Sequence, residues 1–238
     1  MKKVTIIVSC IVLLLIFGLG YTGLVPGISS VLGTDKPKNL GVTYPTGMPE
    51  IMVQKAGPAM EKLPLSNSPI GSIRFSGSKS VIYTFNSQEI TALVNYKFWK
   101  YNPFSDVQVK IHDDGTVETS GRVNMSLVLS AIEAHGFQVG DVRAAMKKYM
   151  IPEISMPAYV SFKGDVIDNK IDLTVLSAKA GNISIPNNVI QENQERLTSA
   201  LESLADAHNG FYIKKLQFGA GTIQFDGRVP EKEEAVTD

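Results

Sequence analysis

Three pairs of alternating segments, each joined by a short turn, constrain the fold of this chain more than any other feature of its sequence. In each pair, apolar and polar residues alternate on both sides of a turn rich in Gly, Asp or Asn, a pattern typical of β-hairpins. The sequence therefore predicts an antiparallel sheet made of hairpins, with a further strand over 81–85. The paired segments are 107–111 with 117–125, 159–167 with 171–178, and 211–218 with 222–229.

Helical patterns separate these strands. Asn86 and Glu89 have the spacing of a capping box, and the apolar residues over 90–98 predict a helix that follows it and ends at Asn102 and Pro103. The longest predicted helix covers 189–208 and carries Ile190, Leu197, Leu201 and Leu204 on one face. Two shorter helices are predicted over 127–134 and 142–150.

Two hairpin strands carry related sequences. GTVETSGRV at 115–123 and GTIQFDGRV at 221–229 match at five of nine positions, and each ends a unit of helix, strand, turn and strand. Hairpin strands reuse Gly and Thr, so convergence is one explanation; the other is a single unit used twice, with Gly121 and Gly227 as bend points. The second alternative predicts an α+β fold, a highly twisted antiparallel sheet of hairpins wrapped on long helices and preceded by a single N-terminal transmembrane helix.

The segment 1–28 is expected to be that membrane anchor. Lys2 and Lys3 precede an uncharged run from Val4 to Val25, which would make about 33 Å of helix, enough to span a bilayer. The run also suits a cleavable signal peptide, and both alternatives stay open. Because lysines precede the run, we expect a single-pass protein of the cell membrane with a cytoplasmic N-terminus and an extracytoplasmic body, secreted if the signal is cleaved.

The remaining chain divides by composition into three parts. Residues 29–77 are rich in Pro and Gly and are expected to form a partly ordered stalk. Residues 78–229 contain the hairpins and helices and are expected to form the extracytoplasmic α+β domain. Residues 230–238 hold four acidic residues and one lysine and are expected to form an acidic disordered tail.

The residue content argues against several function classes. The 23 basic residues balance 23 acidic ones, so no excess positive charge indicates nucleic-acid binding. Cys10 is the only cysteine, and the sequence has neither a nucleophile elbow nor histidines with metal-ligand spacing. His135 and His208 fall at predicted helix ends, where the helix dipole favours a cation. We therefore expect a non-enzymatic protein with no catalytic residues, metal or cofactor.

The segment 96–104, YKFWKYNPF, is the most distinctive part of the chain and holds its only tryptophan. Aromatic rings interleaved with lysines suit the lip of an apolar groove or a membrane surface, although packing in the core is a second explanation. Candidates for the membrane surface or groove lip are Tyr96, Lys97, Lys100 and Tyr101. Candidates for an apolar groove are Phe98, Trp99, Leu197, Leu201, Leu204 and Phe218.

The order of elements also resembles a known group of proteins. TFNSQEITALVN at 84–95 is followed by VQVKI at 107–111 and an Asp-Asp-Gly turn, and ISIP at 183–186 leads into the longest helix. This order resembles the YpmS-like and LmeA-like exported proteins of bacteria, which are related in shape to tubular lipid-binding (TULIP) domains. The resemblance covers roughly 80–229 and implies a sheet curled over an apolar channel and a role in lipid handling or envelope maintenance. It assigns no residue to a ligand.

Two functions from different classes follow. The first is a membrane-anchored binding module that holds a lipid or acyl chain in an apolar groove between helix and sheet. The second is a cell-envelope scaffold that binds a protein or glycan partner and no small molecule. An apolar cavity would favour the first function, and a solid core would favour the second.

Overall fold

The computed structural model of the chain describes Ser29 and residues 35–148, 152–208 and 210–238. The expected membrane segment, 1–28, lies outside the described residues. Within the described ranges, no helix is both long enough and apolar enough to cross a membrane. The described residues form an α+β fold with mostly antiparallel strand pairs, which confirms the fold class expected from the hairpin patterns.

Helices and strands alternate along the chain in an order close to the one predicted. They are α1 (Met48–Ala56), β1 (Ala59–Leu63), β2 (Ile73–Ser76), β3 (Lys79–Asn86), α2 (Ser87–Val94), β4 (Phe104–Ile111), β5 (Val117–Asn124), α3 (Met125–Ala134), α4 (Gly140–Lys148), β6 (Ser155–Ile167), β7 (Lys170–Ala180), β8 (Ile183–Ser184), α5 (Asn187–Ala207), β9 (Tyr212–Gly219), β10 (Thr222–Val229) and β11 (Lys232–Val236).

The three predicted hairpins are confirmed as β4–β5, β6–β7 and β9–β10, and all belong to one antiparallel sheet. Strand β6 joins them, because it pairs with β7 along one edge and with β5 and then β9 along the other. The turns of the first and third hairpins meet there, where the Ala220 N–H donates to the Asp113 carbonyl oxygen at 3.2 Å. The two units with related sequences therefore share one sheet and touch at their tips.

Gly121 and Gly227 occupy matching places in their hairpins. Each lies opposite a register shift in the partner strand, between Ser105 and Gln108 in β4 and beside Lys214 in β9. A Cβ at Gly121 would lie 3.1 Å from the Val107 Cα, and a Cβ at Gly227 would collide with the Tyr212 carbonyl oxygen. The repeated glycine is thus required where a β-bulge brings the neighbouring backbone close.

The main core lies between one face of this sheet and two short helices. Met52 and Ala56 of α1 and Ala92 of α2 pack against apolar side chains of the strands. The strand members of the core are Phe85, Val107, Val109, Ile111, Val117 and Ile223, and Phe162 and Phe218 pack against them. Phe218, expected in a groove, therefore packs beside this core, edge-to-face with Phe162 at 5.8 Å between ring centroids.

Helix α5 departs from the expectation that long helices lie beneath the sheet. Its 21 residues include no buried side chain, and it contacts the edge strand β7. Gln194 and Glu202 accept hydrogen bonds from the backbone N–H groups of Val175 and Ile171, at 3.3 and 3.0 Å. The long helix thus covers a sheet edge through polar contacts, which an edge strand needs when no further strand pairs with it.

The expected stalk and tail pack together instead of remaining apart from the body. Strand β11 lies between β1 and β2 in a three-stranded sheet, parallel to β1 and antiparallel to β2. Ala235 and Val236 are almost fully buried. The expected disordered tail over 230–238 is therefore wrong, because Lys232–Val236 forms a central strand whose last two residues are this buried pair. The part of the expected stalk over 48–76 likewise supplies α1, β1 and β2.

Replacing Gly227 by alanine should destabilise the fold, because the new methyl group would displace the β9 backbone. We expect Gly227→Ala to lower the free energy of unfolding by about 1–3 kcal/mol. Urea unfolding of the full chain in non-ionic detergent would measure this loss.

Gly219→Ala is the matched control, since a Cβ there meets no atom within 4 Å. We expect its effect to stay within about 0.5 kcal/mol. Equal effects of the two substitutions would contradict the requirement for glycine opposite the bulge.

Candidate functional site

A cavity of about 640 Å³ opens beside the three-stranded sheet. Its walls come from α1, β1, β2 and β11, the end of α2, the irregular segment 95–103, α3 and the last turn of α5. Most of the lining side chains are apolar, and the larger ones are Val53, Met60, Ile73, Leu93, Val94, Phe98, Trp99, Phe104, Val128, Ile132, Phe137 and Leu204.

Asn95 ends α2 and begins the segment that walls the cavity. Its Nδ2 donates to the carbonyl oxygens of Thr91 and Val107, each at 2.7 Å, and its Oδ1 accepts from the Val107 N–H at 3.0 Å. One amide side chain thus satisfies the end of the helix and joins it to β4. The predicted continuation of this helix to Asn102 is therefore wrong, because the helix ends at Val94.

The aromatic segment after Asn95 is held against the three-stranded sheet. The Trp99 Nε1 donates to the Ser72 hydroxyl at 3.0 Å, and the Lys100 backbone N–H donates to the Val236 carbonyl oxygen at 2.9 Å. Because the indole N–H is already satisfied, the Trp99 ring presents its apolar faces to the cavity and to its neighbours. The ring is a fixed part of the wall.

The structure brings some of the predicted groove residues together and leaves others apart. Phe98, Trp99 and Leu204 line the cavity, although about a hundred positions separate the first two from the third. Leu197 and Leu201 lie on the same helix as Leu204, but they are exposed and are not among the described lining residues.

The predicted lip residues also differ in where the structure places them. Tyr96 lines the cavity, and Lys97 is exposed next to it. The Lys100 Nζ donates to the Asn67 side chain at 3.4 Å. Tyr101 is buried, and its hydroxyl donates to a backbone carbonyl oxygen at 3.3 Å. Tyr101 therefore has the packing role that was the second explanation for this segment.

The rim of the cavity is apolar and exposed. Val94, Phe104, Phe137 and Leu204 all line it, and between 36% and 50% of each residue's surface remains accessible. Soluble proteins seldom keep several large apolar side chains exposed around one opening unless something binds there. This rim is the clearest sign of a binding site in the described part of the chain.

A row of four rings begins on β2 and ends at two lining residues of the cavity, His135 and Trp99. Phe75, His208, His135 and Trp99 follow one another, with ring centroids 5.0, 4.6 and 5.6 Å apart. Both histidines end helices, as predicted. Burial lowers the pKa of His135, and the charge of His208 lowers it further. His135 is thus a neutral part of the wall at neutral pH, although the helix dipole alone would favour its charged form.

Glu233 is the functional candidate that sequence reasoning missed. It lines the cavity from the central strand β11, and burial raises the pKa of its carboxyl to about 7. Its neighbour Lys232 instead pairs with Glu61 at 2.8 Å and Glu234 at 3.2 Å. The described residues offer the Glu233 carboxylate no hydrogen-bond or ion-pair partner. Such a group is typical of binding and catalytic sites.

A second cavity of about 440 Å³ adjoins the first and shares Val53 and Met60 with it. Its lining is more polar and includes Glu50 and Lys79. The Lys79 Nζ donates to the Gly57 carbonyl oxygen at 3.1 Å. The apolar cavity therefore has a polar neighbour on the side of α1.

Comparisons of the chain with protein-family models, with curated proteins and with solved structures give no match. The resemblance to YpmS-like and LmeA-like proteins stays a prediction from the sequence.

The raised pKa of Glu233 should make stability depend on pH. The ordinary pKa of a glutamate is 4.5 and that of Glu233 is about 7, so the folded chain holds its proton more tightly than the unfolded chain. Stability then falls as the pH rises from about 4.5 to about 7. At pH 8 we expect Glu233→Gln to raise the free energy of unfolding by about 1–3 kcal/mol, measured by urea unfolding of the full chain.

At pH 4 the same substitution should have little effect, because the carboxyl is then protonated in both states. Glu234→Gln is the control, since that side chain pairs with Lys232 and should not become more stable at pH 8. A Glu233→Gln protein less stable than the parent at pH 8 would show that the carboxylate is stabilised by a partner.

Proposed function

We propose that this chain is a membrane-anchored extracytoplasmic protein without enzymatic activity. It binds a lipid or acyl chain in the apolar cavity and contributes to envelope maintenance. The observation that carries the proposal is the open cavity of about 640 Å³ with its exposed apolar rim. Its volume falls within the range of about 300–1,000 Å³ typical of small-molecule sites.

The lining favours an acyl chain over a glycan. A sugar needs many hydrogen-bonding side chains around it, whereas the described wall is mainly aliphatic and aromatic. The indole N–H of Trp99 is already occupied by Ser72. A hydrocarbon chain, in contrast, gains about 0.8 kcal/mol for each buried CH₂ group and needs no polar partner along its length.

The position of the cavity relative to lysines also suits a ligand drawn from a membrane. Lys97 and Lys100 flank the lining residues Phe98 and Trp99 in the sequence. Their stems can pack on apolar surface while their ammonium groups meet lipid phosphates. The proposed anchor over 1–28 would keep the cavity near the bilayer from which the lipid is taken.

Trp99 gives a direct test, because it is the only tryptophan in the chain and it lines the cavity. We expect 12-bromododecanol to quench its fluorescence saturably when the full chain is held in phosphatidylcholine nanodiscs. Unlabelled dodecanol should reverse the quenching, since both alcohols would occupy one site.

Two leucines of α5 provide matched variants. Leu204 lines the cavity, whereas Leu197 is similarly exposed and does not. Leu204→Glu should weaken binding by at least about tenfold, because it puts a charge into the apolar cavity, and Leu197→Glu should leave it unchanged. Circular dichroism would confirm that both variants are folded.

Quenching that neither saturates nor responds to Leu204→Glu would contradict lipid binding in the cavity. Loss of binding in Leu197→Glu alone would move the site to the exposed face of α5. The absence of saturable quenching in the parent chain would favour the scaffold function, which includes no small-molecule ligand.

A further inference from the structure

The charge of the cavity lining is unbalanced. Among the described lining residues, Glu233 is the only Asp, Glu, Lys or Arg side chain. The one histidine in that lining, His135, has a lowered pKa and is neutral above pH 7. The described wall therefore carries a single negative charge, set in apolar surroundings, when the pH exceeds about 7.

The backbone of Glu233 is fixed on both sides. In the sheet it pairs with Met60 of β1 and with Phe75 of β2, whose ring contacts His208. A residue on a central strand cannot shift its backbone without breaking two ladders of hydrogen bonds. The Cα of Glu233 is thus fixed before any ligand arrives, and the carboxylate can move only by changes of side-chain rotamer.

The charged groups near this strand do not neutralise Glu233. Lys232, Glu234 and Glu61 form their own cluster of ion pairs, and Arg74 pairs with Glu234 in the sheet register. Lys62 is exposed on β1. His135 is neutral, and His208 lies next to it in the row of rings. Burial is therefore the one cause of the raised pKa of Glu233.

We infer that the ligand of this cavity is an amphiphile with a cationic amine head, which forms an ion pair with the Glu233 carboxylate while its hydrocarbon chain lies along the apolar wall. The inference rests on the proposed lipid-binding function and names the class of lipid. A half-buried carboxylate without a partner is costly, and an ammonium group would supply that partner. A fatty-acid anion would instead bring a second negative charge to the same wall.

An anionic head would need another place. Among the described residues that line the two cavities, Lys79 is the one lysine or arginine; it belongs to the second cavity and already donates to Gly57. Lys97 and Lys100 flank lining residues in the sequence but are not among the described lining residues. An amine head would pair with Glu233, whereas an acid head would pair with one of these lysines. The two pairings therefore predict opposite orders of affinity for an amine and an acid. This opposition makes the inference testable with three ligands of equal chain length.

The experiment compares 12-bromododecylamine, 12-bromododecanol and 12-bromododecanoic acid by Trp99 quenching, with the full chain in phosphatidylcholine nanodiscs at pH 8. The amine remains protonated at this pH, as lysine does. We expect the amine to bind at least about tenfold more tightly than the alcohol, the size of one charge-assisted hydrogen bond, and the acid to bind most weakly. At pH 5.5, where Glu233 is protonated, the preference for the amine should fade.

Glu233→Gln should abolish the preference for the amine and keep binding of the alcohol. Glu234→Gln should keep both, because that side chain pairs with Lys232 on the same strand. Comparing the amine-to-alcohol ratio between variants cancels the different partition of the ligands into the bilayer.

The outcomes separate the inference from the proposed function. If the alcohol fails to bind saturably, the lipid-binding function fails and the inference fails with it. If the alcohol binds but the amine-to-alcohol ratio is the same in Glu233→Gln, the inference is overturned and the lipid-binding function stands. Tighter binding of the acid than of the amine would also overturn it and would indicate a lysine, Lys79, Lys97 or Lys100, as the partner of the head.

Discussion

The insertion of β11 between β1 and β2 is the constraint on which the cavity depends. The strand joins the end of the chain to segments that precede the main sheet, and it buries Ala235 and Val236 as it does so. The carbonyl oxygen of Val236 then accepts the backbone N–H of Lys100, next to Trp99. One short strand therefore fixes the aromatic wall and places Glu233 in the lining.

Local patterns in the sequence predicted most of the main sheet. The capping box at Asn86 is formed, with both of its hydrogen bonds, and the hairpin turn at Asp168 and Asn169 has the positive φ angles of a two-residue turn. These features depend on neighbours in the sequence. The related glycines, Gly121 and Gly227, could also be identified, because each repeats a local requirement of the backbone opposite a bulge.

Long-range pairing explains what the sequence did not predict. Strand β11 has an acidic composition that matches a solvated tail, and nothing nearby in the sequence indicates that Ala59 and Ser76 are the partners of Lys232. The end of α2 depends likewise on the hydrogen bonds of Asn95 with Val107 of β4. Periodicity placed the leucines of α5 on one face, but it could not show that this face stays exposed or that Leu204 alone among these leucines lines the cavity.

The free-energy cost of burying the Glu233 carboxylate links ligand binding to the stability of the fold. An unpaired carboxylate whose pKa has risen to about 7 destabilises the empty protein at higher pH, because the unfolded chain can solvate the same charge. A cation bound beside it would lower that pKa again and would stabilise the folded chain as the ligand concentration rises. A purely structural carboxylate behaves in the opposite way, since its partner is present in the protein and its pKa falls below the ordinary value, as it does for Glu118 beside Lys38. The pKa shifts are therefore opposite for Glu118, whose partner belongs to the protein, and for Glu233, whose partner would be supplied by the proposed ligand.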